Sequence, residues 1–164
     1  MTVISIEMEI LLRSMQWEEE GYYLYKSLSC RFADSRQKEF FLNLADEEFE
    51  HQKWLEDKLK EECKERKINF DQVINVELKD LTFKPLARTP FKNDDHVNHF
   101  PDPLTFPISF EYAIGHEHKT IEIYEELLGF VSAGSTGFLI KKLIEQEKEH
   151  IELLQVEKAR LTLV

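Results

Sequence analysis

The sequence predicts an all-α fold, a four-helix bundle with a long crossover between its second and third helices. Three observations carry that prediction. The 164 residues are 42% hydrophobic and 32% charged with only five Gly and five Pro, a composition that favours soluble helices. Apolar residues recur at three- and four-residue steps over roughly residues 4–30, 35–66, 106–131 and 136–162. The second pair of these stretches also repeats the first at an offset of 99 residues. Glu18 maps onto Glu117, Tyr25 onto Tyr124, Glu48 onto Glu147 and His51 onto His150. An apolar frame repeats with them: Leu28 with Leu127, Phe41 with Ile140, Leu44 with Leu143 and Leu55 with Leu154.

In the first helix, Leu11, Met15, Glu18, Tyr22 and Tyr25 follow one face. That spacing separates Glu18 from its neighbours. Glu19 shares a face with Gln16 and Lys26, and Glu20 with Arg13 and Ser27, surroundings expected to be solvated. Ala33-Asp34-Ser35 breaks the helix and supplies an N-cap for the next. The second helix puts Phe41, Leu44, Glu48, His51, Leu55 and Leu59 on its inner face. Lys53, Glu56, Asp57, Lys60 and Glu61 form the solvated side.

Residues 67–106 lose the helical period and carry Pro85, Pro90, Pro101 and Pro103. A connection this long is uncommon within a compact domain. Its use would be geometric, because it allows the third helix to start at whichever end of the bundle the topology requires. Phe83, Leu86, Phe91 and Phe100 are expected to pin it against the bundle or a neighbouring subunit. The third helix presents Phe110, Ala113, Ile114, Glu117, Ile121, Tyr124 and Leu128 as a stripe. Gly134-Ser135-Thr136-Gly137 makes a turn, and the fourth helix turns Ile140, Leu143, Glu147, His150 and Leu154 inward. The whole chain, 1–164, is expected to form one domain, long enough to bury about two-thirds of its unfolded surface.

The chemistry lies in the charged residues on apolar stripes. Glu and His three apart on a helix share a face one turn apart, so each Glu-x-x-His offers a carboxylate and an imidazole to one point. With six His and 24 Glu in the chain, roughly one such spacing is expected by chance; the common offset is what makes two of them informative. A Glu helix followed by a Glu-x-x-His helix, given twice, is the ligand arrangement of carboxylate di-metal bundles. The candidate ligands are therefore Glu18, Glu48, His51, Glu117, Glu147 and His150. Four carboxylates and two imidazoles suit iron or manganese better than a thiolate-seeking metal, and zinc can occupy such sites in vitro. His116 and His118 flank Glu117, but adjacent helix positions point about 100° apart, so both are expected to miss the metals. Asp94-Asp95-His96 and His99 could hold a surface ion.

Composition also sets exclusions. A net charge of −11 argues against a nucleic-acid partner, which calls for a basic face. No apolar run approaches the ~20 residues of a membrane span, and the acids at Glu7 and Glu9 interrupt any signal-peptide core. A cytoplasmic location is expected. Cys30 and Cys63 fall at the far ends of two antiparallel helices, too distant to bridge, and are expected to be reduced thiols. No Cys-x-x-Cys marks an attached rubredoxin or zinc-ribbon module.

These motifs resemble the rubrerythrin-like branch of the ferritin-like superfamily. In that pattern a helix-1 Glu precedes a Tyr by seven residues, here Glu18 and Tyr25. Then come Glu48-x-x-His51, Glu117 with Tyr124, and Glu147-x-x-His150. The resemblance covers the four helices and not residues 67–106. It implies a ferritin-like bundle with two iron ions per chain, reducing hydrogen peroxide or dioxygen with electrons from an external donor such as a rubredoxin-type protein. Glu48 and Glu147 would bridge the metals, and Tyr25 and Tyr124 would be the tyrosines standing behind the ligands. Assembly into a homodimer or larger oligomer is expected. Peroxide-reducing rubrerythrins carry a further Glu one turn after the helix-3 ligand, where this chain has Thr120. That departure keeps open a ferroxidase-type iron-binding or storage role, and beyond it a metal-free bundle.

Overall fold

The computed structural model describes residues 4–76, 106–131 and 133–162. Its helices are α1 (Ile6–Cys30), α2 (Ser35–Arg66), α3 (Phe70–Ile74), α4 (Phe106–Leu128) and α5 (Ser135–Thr162), with no strand among the described residues. The four long helices coincide with the four predicted stretches.

Helix ends follow local chemistry. The Ser5 side chain accepts from the Met8 N–H at 3.2 Å and starts α1. Asp34 caps α2 by accepting from the N–H groups of Arg36 and Gln37, as its sequence position predicts. Lys67 closes α2 in the left-handed conformation, φ 56°, and donates its N–H to the last carbonyls. Gly134, at φ 95°, makes the turn into α5; since α5 already begins at Ser135, Thr136 and Gly137 belong to the helix rather than to the expected turn.

Two apolar clusters fill the bundle, one towards each end. The first joins Met8, Leu11 and Met15 with Leu55, Leu59, Tyr124, Leu127, Ile140 and Leu143. The second joins Leu24, Tyr25 and Leu28 with Phe41, Leu44, Phe110, Ala113 and Leu154. Every pair of the repeated apolar frame is buried, and each buried Leu or Phe contributes roughly 1.5–3 kcal/mol. The clusters fix the direction of the helices. α1 and α5 run from the first cluster to the second, whereas α2 and α4 run from the second to the first. α1 packs mainly on α2, and α4 on α5. α4 therefore starts at the opposite end of the bundle from α3, which is the connection a long crossover permits.

Beyond the turn into α5, the structure departs from expectation in three places. Residues 70–74 of the expected crossover form α3, capped by the Asn69 side chain, and Val73 seats it on the first cluster. Five residues are too few to show a helical period. Glu20, expected to be solvated, is 5% exposed. Tyr22, expected on the inner face of α1, is only half-buried and lies against Tyr23 and Phe49. Cys30 is exposed and Cys63 buried, at opposite ends and unbridged. Phe83, Leu86, Phe91, Asp94, Asp95, His96, His99 and Phe100 lie outside the described residues. No described helix is long and apolar enough to cross a membrane.

Candidate metal centre

Between the two apolar clusters lies a layer of charge. Glu18 of α1, Glu48 and His51 of α2, Glu117 of α4, and Glu147 and His150 of α5 are each at most 1% exposed. Burying four carboxylates is costly unless something compensates them. Their ligand atoms converge in two groups, Glu18–Glu48–His51–Glu147 and Glu48–Glu117–Glu147–His150, with all atoms of a group within 4.8 Å of one another. Glu48 and Glu147 belong to both groups. The structure thus brings together all six residues singled out in the sequence.

The 99-residue repeat is visible as an approximate two-fold arrangement. His51 Nδ1 lies 3.2 Å from Glu18 Oε2, and His150 Nδ1 lies 3.3 Å from Glu117 Oε1. The Tyr25 hydroxyl donates to Glu117 Oε1 and the Tyr124 hydroxyl to Glu18 Oε1. Each tyrosine therefore reaches the carboxylate of the other half. Both imidazoles turn Nδ1 inwards, and their rings stack at 5.5 Å.

The protein's own donors do not satisfy this layer. His150 Nδ1 lies 3.1–3.3 Å from Glu48, Glu117 and Glu147 at once, but a ring nitrogen carries one proton and serves one acceptor well. Glu48 Oε1, Glu117 Oε2 and both oxygens of Glu147 remain buried without a hydrogen-bond partner, although His51 Nδ1 comes within 3.1 Å of Glu147 and His150 Nδ1 within 3.1 Å of Glu48. Those short contacts are off the hydrogen-bond axis. Four buried carboxylate oxygens left without a donor, gathered about two imidazoles, are what cations would satisfy, so the donor set fits a di-metal site.

Burial, then the charges of Glu147, Glu117 and Glu18, push the Glu48 carboxyl well above the usual range. Burial and Glu147 push Glu117 up as well. Burial acts on Glu18 in the same sense, but the His51 charge and hydrogen bonds outweigh it and hold Glu18 low. Glu147, raised by burial and by Glu18, is held low by the close imidazoles of His150 and His51. Burial opposes the charge on His51, yet Glu18 and Glu147 bring it up to about 10. The close carboxylates of Glu117, Glu147, Glu47 and Glu48 raise His150 against the same burial. Left to themselves these groups hold protons, which metal binding would displace.

Glu47 and Gly21 are not singled out in the sequence, whereas His116 and His118 stay out of the ligand groups as expected. Glu47, half-exposed, meets His150 Nε2 at 2.7 Å. His116 is buried and stacks on Trp17 at 5.5 Å and 5°, outside both four-residue groups, while His118 is exposed. Thr120 is buried, accepting from the Trp17 indole and donating to the His116 carbonyl at 2.9 Å. Gly21 lets Glu48 approach α1, for a Cβ there would lie 2.8 Å from Glu48 Oε2.

An antiparallel helical bundle with a long crossover and a central layer of four Glu and two His defines a ferritin-like protein with a centre compatible with two metal ions. Residues 9–158 match the rubrerythrin family model, and the chain belongs to that family. No curated protein and no solved structure matches it.

Proposed function

We propose that this protein is a di-iron oxidoreductase that reduces hydrogen peroxide or dioxygen with electrons from an external donor, such as a rubredoxin-type protein. The observation that carries the reading is the pair of overlapping ligand groups sharing Glu48 and Glu147. When bound, two ferrous ions supply the two electrons that, with two protons, convert one peroxide to two waters. Glu48 and Glu147, common to both groups, would help to hold each ion. Glu18 with His51, and Glu117 with His150, would complete each side. Manganese suits the same donors. Tyr124 and Tyr25 hold Glu18 and Glu117 by hydroxyl hydrogen bonds, fixing which carboxylate oxygen faces inwards. The apolar clusters on both sides exclude bulk water and so strengthen every charge interaction in the layer.

A second reading, oxidation of iron as a substrate for storage, is favoured by Thr120. Its hydroxyl is committed to Trp17 and His116, where peroxide-reducing relatives carry a carboxylate. The two readings separate by turnover. Reduced, iron-loaded protein supplied with donor and peroxide should consume many equivalents while holding about two irons per chain. Accumulation of many irons per chain, with a single turnover of peroxide, would replace the first reading with the second. Protein that retains no iron would exclude both.

A further inference from the structure

We propose that Glu47 positions His150 and makes the two halves of the centre unequal, so that the first metal ion enters the half containing His150. The inference rests on the di-metal reading above and adds an order of loading to it. Glu47 is half-exposed, yet its carboxylate meets His150 Nε2 at 2.7 Å, bridging α2 to α5. His150 Nδ1 faces Glu48, Glu117 and Glu147, so the outward nitrogen carries the hydrogen that Glu47 accepts. Such a carboxylate fixes the tautomer and ring orientation of a ligating imidazole and makes it a stronger donor, commonly worth 10–100-fold in metal affinity.

Among the described residues His51 has no equivalent. The residue at the corresponding place in the repeat is Gln146, which donates to Glu149 at 3.3 Å on the surface. The ion pairs of His51 all run through Nδ1. Its neighbour is Trp54, with ring centroids 5.1 Å apart, and Lys142 sits 3.9 Å from the Trp54 ring. One imidazole thus has an anion at its outer side, and the other has an aromatic ring bearing a cation. Opposite charges outside otherwise matched ligand sets separate the affinities of the two halves.

The test is calorimetric titration of the metal-stripped full chain with Mn(II), and with Fe(II) under anaerobic conditions. Wild type should bind two ions in two resolved steps. Glu47→Gln keeps the side-chain shape and removes the charge; it should weaken the tighter step about tenfold or more and leave the other within twofold. Adding Gln146→Glu to that variant should restore two resolved steps, with the tight one moved to the His51 half. In the Co(II)-loaded protein, the shifted His150 ring N–H should exchange slowly with solvent and become fast in Glu47→Gln. Two ions of equal affinity in wild type, or equal weakening of both steps in Glu47→Gln, overturn the inference and leave the di-metal reading standing. No metal uptake by wild type overturns both. Melts of the metal-free variants check the fold; Glu47 lies partly in solvent, and its replacement should leave them within a few degrees of wild type.

Discussion

Gly21→Ala provides a stringent check on the site, because it should act with opposite signs on the metal-free and metal-loaded protein. Gly21 lies inside α1, where Ala is ordinarily the better residue by about 0.5–1 kcal/mol. A Cβ at this position would sit 2.8 Å from Glu48 Oε2, 3.0 Å from its Cδ and 3.2 Å from His116 Nε2. The closest atom is the far end of a flexible side chain, so the backbone need not move and the Glu48 carboxylate swings away instead. In metal-free protein that movement is cheap and the helix propensity gain remains, about 1–4 °C in Tm for a chain of this size. A carboxylate that would serve both ligand groups at once lacks that freedom, and functional groups tolerate about 0.5 Å of misplacement. We expect metal affinity to fall on the order of 10–100-fold, equivalent to about 1.4–2.7 kcal/mol. Differential scanning calorimetry with metal and with chelator measures both effects. The chelated variant should melt at or above wild type, and the gap between metal-loaded and chelated melts should shrink. An undiminished gap, with two ions bound at wild-type affinity, would refute the placement of Glu48 as a shared ligand.

Three further outcomes follow from the same geometry. The chelated protein should lose stability as pH rises. His51 is raised to about 10, so its contribution is fully present below the unfolded value near 6.5 and lost through about pH 10, up to about 5 kcal/mol by linkage; the raised Glu48 carboxyl acts in the same sense. Metal-loaded protein should show little of this slope in urea melts between pH 6.5 and 9.5. Tyr25→Phe removes the donor to Glu117, and Tyr124→Phe the donor to Glu18; each should weaken one metal-binding step by about tenfold, read by titration, and equal weakening of both steps would contradict the pairing. Thr120→Glu removes the acceptor of the Trp17 indole at a cost of about 1 kcal/mol and adds a carboxylate one turn after Glu117; stopped-flow oxidation should show peroxide turnover rising relative to dioxygen, and an unchanged ratio would show that position 120 does not set the preference.

How far the sequence discloses this centre follows from what periodicity measures. A three- and four-residue spacing reports which face of a helix turns inward, so it separated Glu18 from Glu19 and placed all six charged residues in one layer. It does not report what a neighbouring helix brings to the outer faces. Glu20 reads as solvated beside Arg13 and Ser27, yet it is buried. Nothing in the spacing singles out Glu47, whose contact with His150 depends on α5 arriving beside α2. The five residues of α3 are below the length at which periodicity exists, so a capping Asn69 was their only local sign.

The mismatches in the repeat say as much as the matches. Matched positions meet across the approximate two-fold: Tyr25 reaches Glu117 as Tyr124 reaches Glu18. Among the positions around the charged layer that fail to match at the same offset are Trp17 with His116, Gly21 with Thr120, and Glu47 with Gln146. Trp17 and His116 stack on each other. The Trp17 indole finds a hydroxyl at Thr120, whereas His116 Nε2 faces Gly21, where no side chain stands and Glu48 occupies the gap. Glu47 holds one imidazole, and Gln146 turns away from the other. Glu48 is confined by α1 and His116, while its counterpart Glu147 keeps both oxygens free of hydrogen-bond partners. A repeat that keeps these six residues while changing the side chains that touch them is what would make two otherwise matched metal positions chemically distinct.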